Sequence, residues 1–225
     1  MDNTVISGDF ATNVQMAAKG VAIVLLLIVS AGCARRDQSA QISARPPVSD
    51  WRAVATPQDK KRLHGWRGAF VKALEDAKSQ GHGEKIAVEG ALLQPDAALE
   101  GRGPPPGEYR CRVVKLGRKG AYTSGFLIQP TTACMVTADG PLVRFAKMAG
   151  PQRPAGHIYP GNELRQIFLG SMALGDEVRP MAYGRDDARD LAGAVEWIGG
   201  ARWRLILPEP RLESMMTVIE IIPAG

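Results

Sequence analysis

Residues 107–117 read GEYRCRVVKLG. Tyr109, Cys111 and Val113 fall on one side of an extended chain and Arg110 and Arg112 on the other, the alternation of a half-buried β-strand. Downstream, short candidate strands follow at 125–129, 133–138, 142–148, 156–159, 164–170, 190–198, 202–207 and 215–222, each bounded by Gly, Pro, Asp or Asn. Many short strands separated by turn residues signal an all-β sandwich or barrel. In RWRLIL, Trp203, Leu205 and Leu207 alternate with Arg202 and Arg204, and Gly199 and Gly200 supply a hairpin turn just before them.

Upstream of this stretch the period changes. Residues 101–107, GRGPPPG, form a hard break and a hinge between two compositional regimes. Before it, Leu63, Trp66, Phe70, Leu74 and Ala77 recur every three or four positions, the spacing of one helix face. Thr56, Pro57 and Asp59 give that helix an N-cap hydroxyl, a proline at its first position and an acid in its first turn. Gly81 and Gly83 end it, and a shorter helical stretch runs from Glu84 to Leu93. No glycine-rich phosphate loop joins a strand to a helix, so a nucleotide-binding α/β fold is unsupported. The expected class is α+β. A helical segment over 50–100 packs, as one domain, on an antiparallel sheet of about eight strands over 107–225, closed into a calycin-like barrel.

Composition agrees. The 25 glycines and 16 prolines make about 18 % of 225 residues, above the usual sum near 12 %. Such punctuation argues for many short elements and against a long-helix bundle. The formal net charge of +5 would suggest nucleic acid in a cytosolic protein. The N-terminal sequence points elsewhere.

Residues 21–29, VAIVLLLIV, are nine apolar residues in a row, too few to span a bilayer and the right length for the core of a secretory signal. They lead to Ser30, Ala31, Gly32 and Cys33. This resembles the lipobox of bacterial lipoproteins, whose cysteine is diacylated and becomes the mature N-terminus. Ser30 departs from the aliphatic residue usual at that position. Residues 1–15 carry Asp2 and Asp9 and no basic residue, whereas a start at Met16 places Lys19 ahead of the apolar run. Residues 1–32 therefore read as a signal peptide, with 1–15 an extension upstream of the true start. Residues 33–49 read as the lipidated N-terminus and a flexible tether. Ala34, where aspartate would act as a retention signal, implies an outer-membrane destination facing the periplasm.

In an oxidising compartment the remaining cysteines, Cys111 and Cys134, pair across two strand-like segments. That closes a loop of about 24 residues, worth roughly 3 kcal/mol on the chain-entropy model. The competing readings are two buried thiols or a metal pair, and two cysteines without a nearby histidine make a poor zinc site.

The combination of DWR at Asp50, GHG at His82, YRCRVVKLG, QRPAGHIYP, IFLG, YGRDDARDLAG, RWRLILP and ES before the last strand is similar to a family of uncharacterised secreted bacterial envelope proteins, a domain of unknown function. The resemblance spans roughly residues 50–223. It implies exported proteins, often lipoproteins, and carries no activity.

The densest polar cluster is YGRDDARDLAG, with Arg185, Asp186, Asp187, Arg189 and Asp190 inside six positions. One aspartate could serve as a general base, but paired arginines lower a carboxylate pKa and spoil it for that role. The competing reading is an ion-paired loop anchoring the strand that begins near Leu191. His157, with Tyr159 nearby, is the histidine best placed for binding, since His64 lies within a helix and His82 at a helix end. HExxH, GxSxG and His pairs four residues apart are missing, and Ser214 has no histidine beside it in sequence. No cofactor or metal is expected. Arg110, Arg112, Lys115, Arg118 and Lys119 form a basic strand and turn, suited to anionic lipid or an envelope polymer rather than nucleic acid. Two functions follow. The first is a non-enzymatic, lipid-anchored envelope module binding a ligand or protein partner. The second is an envelope hydrolase using the Arg185–Asp190 cluster or His157.

Overall fold

The computed structural model describes residues 48–120, 124–211 and 214–225. The segments expected to form the signal peptide, the lipidated Cys33 and the tether, up to residue 47, lie outside the described residues. Among the described residues no helix is long and apolar enough to cross a membrane.

Four α-helices precede the sheet, α1 (Trp51–Val54), α2 (Pro57–His64), α3 (Trp66–Ala77) and α4 (Gly83–Val88), followed by a short 3-10 helix over Gly90–Leu93. Thr56 caps α2 by accepting from the Asp59 amide at 3.1 Å, with Pro57 at the first helical position. The apolar face expected to run unbroken over 63–77 is split by Gly65 into two helices. Leu63 packs with Ala55, Leu142, Tyr159, Leu169 and Ala192 on one part of the sheet. Phe70, Ala73, Leu74 and Ala77 pack with Val114, Leu116, Ile206, Met216 and Val218 on another. A straight helix could not follow so curved a surface. A glycine in mid-helix costs about 1 kcal/mol and is where the chain turns. Gly81, with φ of 84°, marks the second break.

Nine strands follow: β1 (Gly107–Arg118), β2 (Phe126–Ile128), β3 (Thr132–Asp139), β4 (Leu142–Lys147), β5 (Gln152–Tyr159), β6 (Gln166–Leu174), β7 (Asp190–Trp197), β8 (Trp203–Pro208) and β9 (Ser214–Pro223). Every pairing is antiparallel between neighbours in the order β1-β3-β4-β5-β6-β7-β8-β9, and β9 pairs back onto β1. The result is a closed eight-strand barrel, with helices packed outside it. Short β2 extends β3 along the second half of β1. Val114 faces Ile128 and Cys111 faces Thr132, so one extra residue is accommodated around Pro130.

The interior is filled by alternate residues from all eight strands, among them Val113, Val136, Phe145, Ile158, Phe168, Met172, Leu191, Leu205 and Ile219. Phe145 and Phe168 meet edge to face at 6.1 Å and block the waist. They fit because glycines oppose them: Gly156 faces Phe145 and Gly193 faces Phe168. A Cβ on Gly170 would stand 2.5 Å from Phe168 Cζ and 2.4 Å from the Ala155 carbonyl oxygen, so that position has no room for a side chain. Cys111 and Cys134 form a disulfide inside the wall, on a diagonal between β1 and β3.

Charged pairs fasten the helices to the outside. Arg204 and Glu196 are both fully buried and bonded to each other at 2.6 Å. The same guanidinium donates to the carbonyls of Ala91, Leu92, Gln94 and Pro95, collecting the end of the helical segment onto β8. Arg112 bridges Glu89 on the helical side and Glu220 on β9.

Candidate functional site: the strapped mouth of the barrel

The two ends of the barrel differ. Where β1 begins, the inward side chains at the strand ends are Val143, Ile158, Gln166, Trp197 and Trp203, and around them lies a cleft of about 730 Å³. That falls within the usual range of small-molecule sites, roughly 300–1,000 Å³. At the other end, between Gln129, Gln152, Arg189, Arg211 and Thr217, the cavity is about 20 Å³, room for little more than a water molecule.

One wall of the larger cleft is the segment Gly101–Pro106, expected from sequence to be a hinge. The structure shows a strap instead, and the reason lies in its hydrogen bonds. Leu99 N donates to the Trp197 carbonyl at 2.9 Å and Gly101 N to that of Glu163 at 3.1 Å. Trp203 Nε1 donates to the Arg102 carbonyl at 2.8 Å, and the Tyr109 hydroxyl to that of Pro105 at 2.6 Å. The prolines supply no amide hydrogen for a sheet ladder, and the carbonyls of Arg102 and Pro105 are held instead by side chains rising from the barrel. Gly101 and Gly103 permit the approach. A Cβ at 101 would lie 2.7 Å from the Trp197 ring, and one at 103 would lie 1.8 Å from Gln166 Oε1. Tyr109 also packs edge-on against Trp203 at 6.1 Å, and burial pushes its phenol above the ordinary range.

Chemically the cleft is two indole rings, three prolines and two branched aliphatics, with the Gln166 amide and Arg102 as its polar members and three glycines completing the wall. Such a lining suits a largely apolar or ring-bearing molecule with a polar end. Sequence reasoning passed over it. Trp197 and Trp203 read only as strand residues, and Gln166 carried no motif. The available signal was GRGPPPG lying next to a barrel strand with aromatic residues at the ends of β7 and β8.

The residues singled out from sequence lie elsewhere. Asp190 is buried at the start of β7 and accepts from the Gly184 amide with both oxygens at 3.0 Å, closing a turn. Burial raises its carboxyl pKa, partly opposed by that backbone bond. Asp186 accepts from the Ala188 amide at 2.9 Å and lies 3.5 Å from Arg189, which also pairs with Glu177. Arg185 and Asp187 are exposed. His157 stands on the outer face of β5, with Nε2 2.8 Å from Asp139 Oδ2 and its ring 6.2 Å from that of Tyr159. Tyr159 is buried beneath the first helices, and burial raises its pKa. By register His157 and Asp190 are two strands and two residues apart on the same outward face, roughly 12 Å. Their hydrogen bonds run to different partners, and they do not converge. His64 is exposed, and His82 packs on Phe126 at 5.7 Å. Among the described residues no group of three or more His, Cys, Asp or Glu side chains is placed to hold a metal ion.

The basic strand is also divided. Arg112 is neutralised by its two glutamates, Arg118 pairs with Asp76 at 3.3 Å, and Lys115 turns inward to Gln152 at 2.8 Å. It does not present one continuous cationic face.

These bonds give Asp190 a structural role that a substitution reads directly. Asp190→Ala leaves the Gly184 amide unpaired and lowers unfolding stability by about 1–3 kcal/mol. Asp187→Ala, at an exposed position, stays within about 0.5 kcal/mol of the parent. Urea denaturation of the two variants measures the difference.

A family model described as a domain of unknown function, DUF4893, matches residues 51–221. No curated protein and no solved structure matches the chain.

Proposed function

The chain belongs to the DUF4893 family, a domain of unknown function, and we propose that it is a non-enzymatic envelope protein, lipid-anchored through Cys33, whose strapped barrel mouth binds a small apolar ligand. The observation that supports binding is the cleft itself: about 730 Å³, walled by Trp197, Trp203, Val143 and Ile158 and crossed by a pinned strap. A filled waist makes this a shallow seat rather than a deep calyx. The ligand lies against the indole rings, and Gln166 fixes its polar end. Anchoring is supported by the apolar run 21–29 and the small residues leading to Cys33. The hydrolase alternative draws on Asp186, Arg189, Asp190 and His157, whose side chains are engaged in turns and ion pairs, and on Arg185 and Asp187, which are exposed.

Titration of the full-length protein with the neutral fluorophore N-phenyl-1-naphthylamine tests the cleft. Saturable, one-site enhancement is expected. Trp197→Ala weakens it by about tenfold, which corresponds to about 1.4 kcal/mol of lost contact. Val88→Asp, on an exposed helical position away from the strap, leaves it unchanged. Unsaturable binding, or equal affinity in the Trp197→Ala variant, overturns the assignment.

A further inference from the structure

The strapped cleft carries a charge that the fold does not use. On the strands around it the arginines are committed, Arg165 and Arg204 to Glu196, Arg112 and Arg202 to Glu220. Arg102 is different. It belongs to the strap wall of the cleft and is exposed, and among the described residues its guanidinium has no hydrogen bond and no ion pair. Only the backbone around it is tied. Its carbonyl accepts from Trp203 Nε1 at 2.8 Å, and the preceding Gly101 amide donates to the Glu163 carbonyl at 3.1 Å. The cation is thus mounted on a pinned segment while its side chain stays available.

Gln166 is the second polar member of the lining. It sits against the strap at Gly103, and among the described residues its amide also has no hydrogen-bond partner. No carboxylate lines the cleft. Glu100, Glu108 and Glu163, the acids closest along the strap and its anchor, are exposed, and none of them reaches Arg102 within ion-pair distance. An unopposed guanidinium and an unpaired amide therefore share one site with two indole rings and two branched aliphatics.

That combination selects charge as well as shape. Apolar walls exclude water and strengthen the pull of a cation at their edge, so an anion gains more there than in open solvent. A guanidinium presents a planar fork that matches the two oxygens of a carboxylate. A phosphate dianion would meet only one counter-charge. We propose that the ligand of the strapped cleft is an apolar, ring-bearing monocarboxylate, its rings on Trp197 and Trp203 and its carboxylate held by Arg102 and Gln166. This inference rests on the ligand-binding reading of the cleft given above and adds the sign of the ligand's charge to it.

The test compares two compounds with the same rings, 1-naphthoate and the neutral 1-naphthalenemethanol, by isothermal titration calorimetry on the full-length protein. Both are expected to bind at one site, and Trp197→Ala weakens both. Arg102→Gln changes an exposed side chain without contacts. It weakens naphthoate about fivefold, the scale of one exposed ion pair, and leaves the alcohol unchanged. Arg102→Lys, which keeps the charge without the fork, restores part of the loss. Unchanged naphthoate affinity in Arg102→Gln overturns the proposal, as does an equal loss for both compounds, and in either case the cleft itself still stands as a binding site. If neither compound saturates, or if Trp197→Ala alters neither, the cleft reading falls and this inference falls with it.

Discussion

Arg204→Met lowers the unfolding free energy by about 3–5 kcal/mol, the cost of breaking a buried ion pair by removing one partner. The effect is large because one guanidinium does two jobs. It neutralises Glu196, which has no contact with solvent, and it satisfies four carbonyls where the helical segment ends. Methionine fills the space and supplies no donor. Glu196 keeps only Arg165, whose side chain also stacks on Trp66 at 4.4 Å. Replacing both members, as Glu196→Leu with Arg204→Met, recovers part of the loss, because a buried charge no longer stands alone. Recovery is incomplete, since the carbonyls of Ala91, Leu92, Gln94 and Pro95 remain without their donor. Urea unfolding measures all three variants. A loss below about 1 kcal/mol in Arg204→Met would show that water replaces the guanidinium.

Phe168→Ala is expected to cost about 3–5 kcal/mol, the range for deleting a buried aromatic ring. Phe168 is fully buried, meets Phe145 edge to face and stands opposite Gly193. Its neighbours cannot collapse into the space, because the wall is a closed hydrogen-bonded ring of strands. Gly193 and Gly170 offer no side chain to move in. The hole therefore persists at the waist, between the strapped cleft and the smaller cavity beyond it. Thermal unfolding reads the loss, and retained far-ultraviolet circular dichroism shows that the barrel still forms. A loss under about 2 kcal/mol would mean that the strands close around the gap.

The barrel was legible because period-two alternation is a local signal, and Tyr109, Cys111 and Val113 display it within five residues. Closure was less legible. It depends on Val113 meeting Ile219, and no local pattern encodes a pairing that distant. The single helix read over Leu63 to Ala77 became two because Gly65 lies between positions that face different parts of a curved wall. The cleft escaped notice for a related reason. Its members come from the strap and from β4 to β8, and each looks ordinary in its own segment. Conversely, the Arg185–Asp190 run stood out as sequence because its charges are adjacent. In space Asp186, Arg189 and Asp190 serve turns and neighbouring ion pairs, while Arg185 and Asp187 face solvent.

The β1–β9 pairing, Tyr109 opposite Pro223 through Arg118 opposite Ser214, also sets the order in which the molecule can mature. The first strand finds its longest partner only when Ser214–Pro223 exists. Contacts of such long sequence separation make folding slow, on the millisecond-to-second scale typical of closed β topologies. Until then β1 can take β3 on one side, fastened by the Cys111–Cys134 bond, while its other edge offers unpaired amides and carbonyls. A chain truncated before Ser214 would keep that edge open for good, and an open edge invites another chain to pair with it. The last strand thus acts as the molecule's own protection against self-association.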